Sequence, residues 1–327
     1  MNWRQQIVVN RRKSFMVILS FVLMYVLLGS FVAIMVTPHY GVDDWIPILQ
    51  QPSSQRIVAV FVLVSLVIIL ISMLFGGKLS LTGTSAVEVM GDTDNADHKQ
   101  LYNIVEEMKI ASGLSFMPKV YVLPVKYMNA FAAGWHEKNS IIAITQPLLA
   151  LLTREELQAV IAHELSHIKH QDTRVMTLVS IMAGLLVMVI DVMFRSVLYG
   201  NTRQRNRRTD ASGLVVIVIV LLRVLIPFLT AFMAMYISRR RELLADAGCV
   251  ALTRNKQALA NALIKLHQAH KDPKMKEAYY DTPNEQVRSF AYIYEPKHQG
   301  VKRFLNVNEW FSTHPSLQER LKALGIE

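Results

Sequence analysis

Cysteine is almost missing from this sequence: Cys249 is the single one among 327 residues. No internal disulfide can form, which excludes a disulfide scaffold and leaves the redox compartment unmarked. Charge is also scarce, at 18% of residues against 52% apolar ones. A soluble domain carries about 25% charged residues, so this chain is too apolar for that class, and disorder is excluded with it. Glycine, at 14 residues, is too sparse for a collagen-like chain, and no other internal repeat is evident. Acids are the minority among the charges, 25 against 35 basic residues, for a net +10. No aromatic-basic module accompanies that excess, so a nucleic-acid partner is not expected.

What the chain has instead is long apolar runs. Phe15–Val36 is 22 residues and Ile57–Phe75 is 19, both free of charge. At 1.5 Å per residue each can cross the about 30 Å of bilayer hydrocarbon, and both read as membrane helices. The first is longer than a signal-peptide core of about 7–15 residues, and Thr37-Pro38-His39 after it offers no small-residue cleavage site. Val175–Phe194 and Leu214–Ile237 are interrupted, the one by Asp191 and the other by Arg223 and Pro227. They are compatible with spans, a re-entrant hairpin or buried core helices. Arg4, Arg11, Arg12 and Lys13 precede the first run without an acid, whereas loop 37–56 has Arg56 facing Asp43 and Asp44. The N-terminus is therefore expected in the cytoplasm. Arg195, Arg203, Arg205, Arg207 and Arg208 between runs three and four conflict with that rule if both runs cross. The basic excess reads as membrane-related, with the lipid bilayer as partner.

The soluble segments mix helix and strand. Leu101, Ile104, Val105 and Met108 give Ala96–Leu114 helical spacing. Lys119–Leu123 and Ser140–Thr145 are β-rich, and Asn129-Ala130-Phe131-Ala132-Ala133-Gly134 between them suits a short edge strand. Thr153 with Glu156 forms a capping-box signature opening a helix whose buried side is Leu157, Val160, Ile161, Leu165 and Ile168. Leu259, Leu263 and Leu266 mark a further helix, residues 271–300 read as a mobile polar loop, and Pro315–Leu324 as a closing helix with Thr313 as its cap. Cys249 is expected as a small buried side chain, and His267 and His270 as surface residues.

The capped helix carries His163-Glu164-Leu165-Ser166-His167, an H-E-x-x-H pattern. Four residues apart, the imidazoles leave one face about 6 Å apart along the axis and can converge on a tetrahedral zinc ion. Glu164, rotated by about 100°, stands beside the metal, where a carboxylate can take a proton from metal-bound water. His170 lies about 10.5 Å along the axis from His163 and cannot share that ion. The best candidate for a third ligand is Glu242, where the RRRELLAD segment continues the fourth run as a helix; the alternative is a membrane-flanking charge group. Asp246, one turn on, can orient a ligand histidine through its free N–H.

HELSH, RRRELLADA, NAFAAG and the flanking hydrophobic pairs together resemble the HtpX-type membrane zinc endopeptidases, relatives of the CAAX prenyl proteases, over nearly the whole chain. The resemblance implies one zinc held by His163, His167 and Glu242, Glu164 as general base and Asp246 behind a ligand. It implies that Asn129–Gly134 pairs with an extended substrate. It also maps the family's C-terminal His-Pro motif onto His314-Pro315, with Arg320 following; His314 and Arg320 are expected to act in catalysis or gating without being required for folding. The expected fold is α+β, mainly α: two N-terminal spans (1–77), a zincin-like catalytic region with a small sheet (78–174), a hydrophobic helical hairpin (175–237) and a C-terminal catalytic region (238–327). The expected function is hydrolysis of misfolded membrane proteins at the cytoplasmic side of the cell inner membrane. A membrane adaptor with structural zinc and a prenyl-protein protease are the alternatives.

Overall fold

The computed structural model describes residues 3–36, 45–179, 181, 239–283, 288, 291–294 and 315–326. Most of the third apolar run, all but the neighbourhood of its start, lies outside the described residues, as do the fourth run, the arginine-rich loop between them and His314.

Apolar periodicity and length make the first part of the chain two long helices, α1 (Trp3–Val36) and α3 (Pro52–Leu79), with the short α2 (Trp45–Gln50) between them in sequence. Ile7–Ile34 and Pro52–Leu79 are each 28 residues and apolar enough to cross a membrane. Phe15, Leu19, Leu23 and Leu27 recur every fourth residue on α1 and are exposed, as are Leu63, Leu66, Leu70 and Leu74 on α3. Such a continuous apolar surface is what lipid would cover. The inward faces meet closely: a Cβ at Gly29 would lie 3.0 Å from the Phe61 Cβ. Val17, Phe21 and Tyr25 of α1 and Ile69 of α3 pack against Val175, Leu178 and Val179, in the helical residues 172–179 that open the third run.

Four strands form one mixed sheet in the order β1 (Val87–Val89), β2 (Lys119–Leu123), β4 (Ile141–Thr145), β3 (Ala130–Ala133). β2 and β4 are parallel, and the two outer pairings are antiparallel. The strand alternation sends Val120, Val122, Ala130, Ala132, Ile142 and Ile144 into a core with helices α4 (Ala96–Ser112) and α6 (Arg154–Lys169). Tyr121, Leu123, Phe131, Ala133, Ile141 and Ala143 point the other way, onto Tyr127, Met176, Tyr279 and Tyr292. Both faces are thus covered, which explains why these strands read as nearly continuous apolar runs. After α5 (Gln146–Leu151) and α6, the described chain resumes with α7 (Arg239–Thr253), α8 (Lys256–Ala269), α9 (Pro273–Asp281) and α10 (Leu317–Ala323).

The fold is mostly helical with a small sheet and two candidate membrane helices, as expected from the sequence. Local expectations differ in three places. The polar stretch after residue 271 is not a loop throughout: Asp272 caps α9, Pro273 occupies its first turn, and Tyr279 buries itself against Tyr127 and Tyr292. His270 is not at the surface, because its Nδ1 meets the Leu266 carbonyl at 2.9 Å and its ring stacks near Tyr294, whose hydroxyl meets His267 Nδ1 at 2.9 Å. The last helix begins later than Pro315, with Ser316 and Glu319 forming the capping box in place of Thr313.

Candidate active site

Helix α6 is fixed at its start by the reciprocal bonds of Thr153 and Glu156, at 3.3 and 2.9 Å. From Ala159 to Ile168 every residue is buried, so the HELSH segment lies inside the protein on a core helix. α7 crosses it closely. A Cβ at Gly248 would overlap the Ser166 hydroxyl, so the glycine is what lets the α7 backbone come near enough for Glu242 to reach the histidines.

His163, His167 and Glu242 converge, all buried, with their donor atoms within 4.8 Å of one another. The two Nε2 atoms are 3.2 Å apart, and each lies 3.6 Å from a Glu242 oxygen. Behind them, His163 Nδ1 is 2.9 Å from Asp246 Oδ1 and His167 Nδ1 is 3.2 Å from Asp172 Oδ2. With each Nδ1–H donating to its carboxylate, both Nε2 atoms turn lone pairs towards the same point, a position suited to a cation. A tetrahedral metal ion with bonds of about 2.0–2.1 Å sets its ligand atoms about 3.3 Å apart, close to the 3.2 Å between the two Nε2 atoms. The residues present therefore fit a metal ion.

Electrostatics divide the site. Burial opposes charge on His163, but the Asp246 and Glu242 carboxylates beside it outweigh burial and raise the imidazole to about 9. At His167 burial prevails and the pKa falls, favouring the neutral ring that a metal needs. Burial also pushes Glu164 up to about 7, only partly opposed by His163. The Ala132 N–H of β3 is near enough to favour the charged Glu164 carboxylate, without making a hydrogen bond of ordinary geometry. Burial would raise Asp246 as well, yet the Arg320 guanidinium overrides it and holds the carboxyl at about 2.

Arg320 grips Asp246 through Nε at 2.9 Å and Nη2 at 2.5 Å and donates from Nη1 to the Ile293 carbonyl at 2.9 Å. It lies on the Nδ1 side of His163 and is deeply buried. His170, by contrast, turns its Nδ1 to Ser166 Oγ at 3.4 Å, outside the triangle. Cys249 donates to the Ala159 carbonyl at 3.1 Å, and burial pushes its thiol up to about 12, so it is a packed side chain as expected.

Asn129–Gly134 spans the outermost strand, β3, beside Glu164. Its outer edge is partly taken. Phe131 bridges to Tyr292, Ala130 O accepts from the Ile293 N–H at 2.9 Å, and the Asn129 side chain donates to the Tyr294 carbonyl at 2.7 Å. At the other end the Gly134 N–H donates to Thr177 Oγ1 at 2.9 Å. A peptide paired along the whole segment must displace these contacts. Asp172, five residues past His167, is not singled out by the sequence; the available signal is an acid just beyond the end of the HELSH helix.

Known proteins resemble this chain over most of its length. The model of peptidase family M48 matches residues 95–326. The Protease HtpX homolog of Helicobacter acinonychis is 32% identical, with 99% of each chain covered. That of Helicobacter pylori strain J99 is 33% identical over 99% of this chain and 98% of its own, and that of Streptococcus uberis 31% over 98% of both. The crystal structure of S. mikatae Ste24p aligns over 81% of this chain and 57% of that longer one, with 19% identity and a TM-score of 0.45. The chain therefore belongs to peptidase family M48, as a membrane metalloprotease similar to the HtpX proteases.

Proposed function

We propose that His163, His167 and Glu242 hold one zinc ion per chain and that Glu164 is the general base of peptide-bond hydrolysis. The observation that carries this reading is the buried convergence of His163, His167 and Glu242, with ligand atoms within 4.8 Å of one another and both imidazoles already oriented from behind by carboxylates. Zinc supplies a Lewis acid for the scissile carbonyl and lowers the pKa of water towards about 7. Glu164 takes the proton of the attacking water and delivers it to the departing amine nitrogen. Asp246 keeps the Nδ1–H of His163 engaged, and Arg320 keeps Asp246 anionic and in place. The outer edge of β3, from Asn129 to Gly134, binds the substrate as an added strand once the 291–294 contacts yield. His314 is assigned the oxyanion donor on the family resemblance alone.

The substrates we infer are membrane proteins, with quality control of misfolded ones as the role and the cell inner membrane as the place. The site facing the cytoplasm follows from the basic N-terminal segment. The same reading divides the chain at 77, 174 and 237 into membrane region, helix-motif region, apolar hairpin and C-terminal ligand region. The test is Glu164→Gln in the detergent-purified chain. Amide and carboxylate have the same shape but only the carboxylate is basic, so zinc content should persist while casein hydrolysis falls by about 10²-fold or more. Unchanged turnover would remove Glu164 from the mechanism.

A further inference from the structure

The histidine His167 is backed by a chain of contacts that ends in the first membrane helix. Its Nδ1 meets Asp172 Oδ2 at 3.2 Å, and Asp172 Oδ1 accepts a hydrogen bond from the Asn10 side-chain amide of α1. The same Asn10 nitrogen donates at 2.9 Å to the carbonyl of His170, the residue that caps α6. Asn10, Asp172 and His167 are each at most 2% exposed. Asn10 lies inside the apolar candidate span Ile7–Ile34, where a buried amide is costly unless it is paired.

The backbone is built to close this contact. After α6 ends, Gln171 takes a left-handed conformation with φ 58°, and the chain doubles back so that Asp172 lies against His167. Residues 172–179 then continue as a helix whose Val175, Leu178 and Val179 pack on Val17, Phe21 and Tyr25 of α1. Ser14 Oγ donates to the Asn10 carbonyl at 2.9 Å, one turn further along α1. The Asp172 carboxylate thus has two donors on two sides: the imidazole of the helix motif and the amide of the membrane helix.

We infer that Asn10 and Asp172 are positioning residues of the metal centre, through which docking of the first membrane helix sets the orientation of His167 and hence the affinity for the metal. The inference rests on His167 being a metal ligand. A carboxylate facing the Nδ1–H fixes the tautomer that leaves Nε2 free to bind, and loss of such partners lowers metal affinity by about 10–100-fold in known sites. Asn10 acts one step further back, by holding Asp172 at the one angle that serves His167.

The test is zinc affinity of the full chain in detergent, measured by competition with a chromogenic chelator, alongside the melting temperature of the metal-free form. Asn10→Leu keeps shape and suits a membrane helix but cannot donate; it should weaken zinc binding about 10-fold, and Asp172→Asn by about 10-fold or more. A merely structural role would lower the metal-free melting temperature of the single variants while leaving zinc affinity unchanged, and that result would overturn the inference. Wild-type affinity in Asn10→Leu would overturn it too. His167→Ala separates the two readings: it should abolish zinc binding, and if it does not, the ligand assignment itself fails.

Discussion

His163 and His167 present the same atom to the metal position but are held differently. Behind His163 stands a charged pair, Asp246 with Arg320 at 2.5 and 2.9 Å; behind His167 stands Asp172 with the neutral amide of Asn10. The Arg320 guanidinium also reaches the Ile293 carbonyl, so one side chain ties α10, α7 and the segment covering β3. Removing it leaves the Asp246 carboxylate buried without its cation, a change that costs about 3–5 kcal/mol in comparable sites. Arg320→Ala should therefore lower the melting temperature markedly as well as activity, and Arg320→Lys should recover only part, since an ammonium cannot reproduce the planar fork. Thermal unfolding of the purified variants checks this; an unaltered melting temperature in Arg320→Ala would mean the network is not structural.

At the level of elements, the site is a crossing of two helices, and Gly248 controls its depth. Any Cβ there runs into the Ser166 side chain within the HELSH segment, so Gly248→Ala should push α7 away from α6 and withdraw Glu242. Zinc affinity should fall by about 10-fold or more, as with other displaced metal partners. Equal affinities, measured by chelator competition, would show that the crossing tolerates the added carbon. Much of this architecture is legible locally. The Thr153–Glu156 box, the 3.6-residue periodicity of α4 and α6, and the runs of β2 and β4 are encoded within about a dozen residues each. Three-residue β1 and the segment 291–294 lack any such period, and they exist through pairing with β2 and β3. Tyr279 and His270 read as polar-context residues because their partners, Tyr292 and Tyr294, come from elsewhere in the chain. Glu242 is legible only as part of a charged helical continuation, whereas the Asn10–Asp172 contact spans 162 positions and leaves no local trace.

For the whole molecule, the α1 terminus that binds His170 also carries Arg11, Arg12 and Lys13, so the candidate metal site adjoins the basic end of the first candidate span. Lys138 and Gln268 are exposed positions on the protease portion, and the single native thiol, Cys249, is buried, which keeps background low in labelling. Lys138→Cys and Gln268→Cys should resist a membrane-impermeant maleimide in intact cells and react after permeabilisation; reaction from outside would invert the topology. The most direct measurement of the account as a whole is zinc K-edge X-ray absorption on the purified full chain. It should show one zinc per chain with two imidazole nitrogens and carboxylate and water oxygens at about 2.0–2.2 Å, no sulfur shell at about 2.3 Å, and loss of bound metal in Glu242→Ala. A sulfur ligand, a third imidazole, or full zinc occupancy without Glu242 would contradict it.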